Sequence, residues 1–169
     1  MMRVMANVLR AAGVVLAASA AYGAQAQESQ KRLVVIVHVS NPLDSLRPQQ
    51  IRDLFLKKHT TWRGELADLG DKKGFDEGEV VKPVDLANGS EERRVFLGKI
   101  LEMTAAGLER YWVKVQYQSA LEPPTPVESS ERAIRLVGSQ KGGLGFVVES
   151  ALTEETRKKV KVVYSVLLD

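Results

Sequence analysis

The chain of 169 residues carries 24 basic and 21 acidic side chains, two histidines and no cysteine. Disulfide staples and thiol chemistry are therefore excluded, so stability has to come from a packed core. A net charge of +3 is too small to announce a nucleic-acid surface, which needs lysine and arginine clustered on one face.

Arg3 and Arg10 precede an apolar run from Ala11 to Ala21, and Ala24-Gln25-Ala26 supplies the small-x-small pattern of a cleavage site. The run is shorter than the ~20 apolar residues that span a bilayer, so stable membrane insertion is not expected. Residues 1–26 read as a signal peptide cleaved after Ala26, leaving a single domain over residues 27–169. Both charges lost are arginines, so 22 basic and 21 acidic side chains remain, a net of +1. Export without cysteines fits a periplasmic location.

After a polar stretch, "LVVIVHVS" (33–40) reads as a buried strand ending at Asn41-Pro42. Pro48 then introduces Ile51, Leu54 and Phe55 at helical spacing. Residues 64–79, rich in glycine and acids, read as a surface loop. "VVKPVDL" (80–86) is a short strand that tolerates Pro83 only at an edge or a strand start. Asn88-Gly89 forms a turn, and Ser90 caps a helix carrying Val95, Phe96, Ile100 and Met103, with Gly98 as a small packing position.

Thr104 caps a third helix with Leu108, Tyr111, Trp112 and Val115 on one face. "LEPPTPVES" (121–129) is predicted to be an extended loop, and Ser129 or Ser130 starts a helix that buries Ala133, Ile134 and Val137. Gly142 and Gly143 make a turn into the strand "LGFVV" (144–148), where Gly145 permits a close approach. A short helix from Thr153 and the strand "VKVVYSVLL" (160–168) complete the pattern. Strands alternating with helices argue for a layered α/β domain.

Several of these stretches together resemble the phosphate-binding proteins of ABC transporters. "NPLDSLRPQQIRDLFLKKHTTW" (41–62) is similar to that family's leucine, short helix ending in Ile-Phe-x-Gly-Lys, and tryptophan, with Lys57 at the usual glycine. "PVDLANGSEERRVF" resembles its phosphate loop, "YWVKVQYQS" its tryptophan-containing helix, and "GGLGFVV" its Gly-Ile-Gly-Tyr-Val strand. The resemblance implies one lobe of a type II periplasmic-binding-protein-like fold, a mixed sheet flanked by helices. It places residues 33–169 against the second lobe and the returning end of such a protein.

By the same resemblance, an inorganic phosphate or another oxyanion is the expected ligand, and a transporter or other envelope protein the expected partner. The family loop reads Arg-x-x-Gly-Ser-Gly-Thr. Here Gly89 and Ser90 keep the pattern, Leu86 stands at the arginine, and Glu91 and Glu92 replace the glycine and threonine. The candidate ligand residues are Ser40 and Asn41 at the end of the first strand, then Gly89, Ser90 and Glu91 at the helix start. Arg93 or Arg94 would supply charge.

Helix amides attract anions, and carboxylates in the first turn repel them. The competing reading is a plain helix start, with Ser90 as cap and the acids complementing the dipole. Two hydrogen bonds at one helix end give about 4 kcal/mol, a dissociation constant near ~1 mM. An envelope adaptor that has lost ligand binding is the alternative. No cofactor is expected, and no catalytic set is evident around His38 or His59, so an enzyme is not expected. The acids of 71–79 lack the order of a calcium loop, and "TRKKVK" (156–161) reads as a solvated face.

Overall fold

The computed structural model describes residues 31–66, 75–76 and 78–168. Its spine is β1 (Arg32–His38), whose Leu33 to Val37 are all fully buried. Such a continuous apolar run suits a strand covered on both faces. β1 lies in a five-stranded mixed sheet of order β3-β2-β4-β1-β5, with β2 (Lys82–Leu86), β3 (Thr125–Val127), β4 (Gly143–Val148) and β5 (Val160–Leu167). β1 runs antiparallel to both β4 and β5, while β2 runs parallel to β3 and β4.

Helices cover both faces. On β4, Phe146 points to one face and stacks on Phe96 with ring centroids 3.9 Å apart and planes within 6°. Phe55 closes the group at 4.6 Å from Phe96 and 5.9 Å from Phe146. These rings tie α1 (Pro48–Phe55) and α3 (Glu91–Phe96) to the sheet. Gly145 faces the other way, and a Cβ there would lie 2.9 Å from Val137 Cγ2 of a helix spanning Ser130–Val137. The close approach expected at Gly145 is thus where that helix seats on the sheet.

Two more helices precede it in the chain. They are the short α2 (Arg63–Leu66) and α4 (Ala105–Ser119), so the Ser130–Val137 helix is α5. α3 runs on into a π-helical turn, Leu97–Leu101, ending at Glu102 in the left-handed region with φ 52°. Gly98, expected to be a packing position, is exposed, with nothing within 4 Å of a Cβ placed there. Within the wider π turn it faces solvent.

Caps fall where the sequence placed them. Ser90 Oγ accepts from Arg93 N at 3.1 Å, Thr104 Oγ1 from Gly107 N at 3.0 Å, and Ser129 Oγ from Arg132 N at 3.3 Å. α1 ends in a Schellman motif: Lys58 N donates to Asp53 O at 2.9 Å and Lys57 N to Leu54 O at 3.1 Å. Lys57 itself has φ 51°, which accounts for glycine being usual at this place in the resembling family.

Pro83 is tolerated because β2 changes partner along its length. Lys82 and Pro83 lie beside Gly143 and Leu144, while Val84 to Leu86 lie beside Thr125 to Val127. Part of the predicted 121–129 loop is β3, a three-residue edge strand. The expected helix from Thr153 is instead a mutual Thr153–Thr156 hydrogen-bonded turn followed by a 3-10 turn at Thr156–Lys158. Those hydroxyls compete with helical bonding of the backbone. Most of the 64–79 segment, including Asp71, lies outside the described residues.

Candidate functional site

In open α/β sheets, ligands sit beyond the carboxyl ends of the parallel strands. Here the ends of β2, β3 and β4 share one end of the sheet with the start of β1, since Leu33 lies opposite Val148. The loop Ala87–Ser90 and the amino ends of α3 and α5 all open there. Gly89 has φ +100°, which turns the chain from β2 into the helix and is a conformation glycine adopts readily.

Two grooves flank Ser90. One of about 440 Å³ lies over the strand ends and is lined by Leu86, Ser90, Glu92, Glu128, Ser129 and Glu131, among others. Its hydroxyls and helix amides suit an anion, but three carboxylates occupy the same rim. The Ser129 hydroxyl and the residue's own backbone N–H hold the Glu131 carboxyl below its usual value, so it is ionised at the start of α5. Like charge at both helix starts opposes an incoming anion. The other groove, of about 610 Å³, runs between α3 and the start of α4, with Gly89, Ser90, Arg94, Leu97 and Thr104 on its walls. The sequence reading missed this participation of Thr104 and α4.

Of the two arginines expected to bring charge, Arg93 is committed elsewhere. Its Nε donates to both carboxylate oxygens of Asp85, at 3.1 and 3.0 Å, and its Nη2 to Oδ2 at 2.9 Å. Both side chains are about 15% exposed or less. Burial pushes the Asp85 carboxyl above its usual value, and the Arg93 guanidinium pulls against that shift. Arg94 is largely exposed, with Glu91 at 3.8 Å. Ser90 spends its Oγ as an acceptor in the helix cap, leaving the hydroxyl proton free to donate. Leu86, where the family loop has arginine, is buried.

Ser40 and Asn41 do not join this group. They follow the carboxyl end of β1, which lies beside the start of β4, at the opposite end of the sheet from Ser90. A strand of that length separates the two sets by roughly 20 Å. One small anion cannot touch both, because β1 runs antiparallel to β4. Ser40 N donates to His38 Nδ1 at 3.1 Å, and Ser40 Oγ lies 2.7 Å from the same nitrogen. Asn41 is buried, with Oδ1 accepting from Leu43 N at 3.0 Å and Nδ2 unpartnered. These residues build the turn after β1.

His59 Nδ1 lies 3.1 Å from Glu65 Oε1, and Tyr111 donates to Leu56 O at 2.7 Å beside the buried Trp112. The Tyr111–Trp112 face is therefore core. No group of three or more metal-ligating side chains is present among the described residues. Among them, too, no helix is long and apolar enough to cross a membrane.

No protein-family model and no curated protein matches the chain. Solved structures do. A putative phosphate ABC transporter substrate-binding protein with bound phosphate from Clostridium perfringens aligns at TM-score 0.57 and 20% identity, over 79% of this chain and 44% of its own. An ABC-type phosphate transport receptor from Vibrio cholerae aligns at 0.55 and 17%, over 79% of this chain and 45% of its own. A possible phosphate binding protein from Planctomyces limnophilus aligns at 0.51 and 12%, over 79% and 40%. This chain thus spans less than half the length of the structures it matches, and it has the fold of a type II periplasmic-binding-protein-like lobe.

Proposed function

We propose that this is an exported, periplasmic domain of the phosphate-binding-protein type that offers only half of an oxyanion site and depends on a partner for the other half. The reading is carried by one observation: Arg93 is clamped on Asp85, so Ser90, the amides beside Gly89 and the exposed Arg94 are what remains for an anion. Two or three exposed hydrogen bonds at one helix start correspond to binding near ~1 mM. Export rests on residues 1–26, and the oxyanion on likeness of fold and loop. A transporter or another envelope protein is the proposed source of the second half.

Calorimetric titration of the protein with phosphate and sulfate at low salt tests this. Weak saturable heat in the millimolar range, lost in Ser90→Ala, is the expected result. Micromolar affinity would overturn it, since the chain would then hold a complete site.

A second reading is favoured by the three glutamates over the strand ends. It is an adaptor that keeps the lobe and has given up the ligand. Absence of heat up to tens of millimolar would select it.

A further inference from the structure

α5 also borders a second groove. It holds about 650 Å³ and is bounded by Thr125, Pro126 and Val127 of β3 and by Arg132, Arg135 and Leu136 of α5. Arg132 and Arg135 make no ion pair within 4 Å and no side-chain hydrogen bond, and the Glu131 carboxylate one turn before Arg135 interacts with that guanidinium at longer range. The two arginines stand three residues apart on one helix, so their guanidinium groups project from adjacent turns. Between them and the strand lies an apolar floor, buried Val127 and half-buried Leu136.

We propose that this groove docks an extended acidic segment of a partner protein. Charge complementarity selects the sign, because the two guanidinium groups on one wall outnumber the Glu131 carboxylate beside Arg135 and favour carboxylates, which they can grip bidentately. The apolar floor selects a peptide over a free ion, since a small anion would leave Val127 and Leu136 uncovered. The opposite wall is the outer edge of the sheet's terminal strand. Ala87 N donates to Val127 O at 2.8 Å, so the backbone of residues 125 and 127 turns toward β2 and that of Pro126 turns outward. Proline has no N–H to give, so a continuous strand-on-strand ladder is blocked. The occupant is therefore held through alternating side chains, one carboxylate to the arginines and one apolar group to the floor. This surface is separate from the groove over the strand ends and does not depend on anion binding there.

The test is an amide-resolved NMR titration of the protein with acetyl-Glu-Leu-Glu-Val-Glu-amide. The same peptide with lysine for glutamate, and inorganic phosphate, serve as separate arms. The expected result is saturable shifts at residues 125, 127, 132 and 136 with a dissociation constant on the order of 100 μM. That affinity is expected to weaken at least several-fold on raising salt, and at least tenfold in Arg132→Gln/Arg135→Gln. Both arginines are exposed, so an unchanged melting temperature certifies that the variant is folded. No shifts below several millimolar would overturn the proposal. So would equal binding of the lysine peptide, equally strong shifts with phosphate, or undiminished binding by the folded double variant.

Discussion

Arg93 and Asp85 face each other across the junction of α3 and β2, joined by three contacts between 2.9 and 3.1 Å. A pair this dry is costly to break from one side, because the surviving charge has no partner. Arg93→Ala is expected to destabilise the fold by about 2–3 kcal/mol, less than for a fully buried pair since some solvent reaches both groups. Asp85→Asn leaves the Arg93 guanidinium without its counter-charge but keeps one oxygen to accept from it, so it should also destabilise the fold while loosening the guanidinium. Phosphate affinity in Asp85→Asn is then expected to rise several-fold over the parent by calorimetry. An unchanged or lower affinity would mean that Arg93 cannot reach the anion.

Lys57 gives a prediction of the opposite sign. It holds the left-handed position of the α1 Schellman motif at φ 51°, where a Cβ crowds the backbone. Lys57→Gly is expected to raise stability by about 0.5–1 kcal/mol in urea unfolding. Glycine's greater freedom in the unfolded chain opposes this, so a loss of stability would show that entropy outweighs the relieved strain.

The turn after β1 should be sensitive to mild acid. Burial, and then the Lys141 ammonium, lower the His38 pKa from its usual 6.5, against an opposing pull from Glu79. Its Nδ1 accepts the Ser40 N–H only while the ring is neutral. A base with a depressed folded pKa contributes stability above the unfolded value, and that contribution is lost as pH falls from about 6.5 through the folded value. Unfolding midpoints measured between pH 7.5 and 5 should therefore decline, and His38→Gln should flatten that part of the curve. A parallel decline in the variant would assign it to other groups.

The glycine pair Gly142-Gly143 yields a steric prediction. A Cβ at Gly142 would come within 1.9 Å of Val80 O, a backbone atom that cannot swing aside. Gly142→Ala is expected to lose roughly 3 kcal/mol, at the upper end of overpacking costs. A near-neutral result would show that the strand start can shift.

Much of the layout was legible because each element announces itself locally. Leu33 to Val37 have no polar interruption, Ser90, Thr104 and Ser129 precede helical periodicity, and Gly145 faces a helix. The candidate site was less legible, because strand direction decides it. Ser40 and Ser90 each follow a strand in the sequence, and nothing in either segment records that one strand runs up and the other down. The Asp85–Arg93 clamp was hidden for a related reason, since it joins a strand residue to a helix residue across a turn. A threonine turn at 153–156 also imitates a helix start in every residue but the outcome.

The placement of β1 also has a kinetic side. Both of its neighbours, β4 and β5, follow it at a distance of roughly 100 residues or more, since β1 ends at His38 and β4 opens at Gly143. The most apolar strand of the fold thus precedes both of its partner strands by that length of chain and stays unpaired until they have followed. Pairings so distant in sequence close slowly, and an unpaired Val- and Ile-rich segment invites the same segment of another molecule meanwhile. Refolding yield should therefore fall with protein concentration.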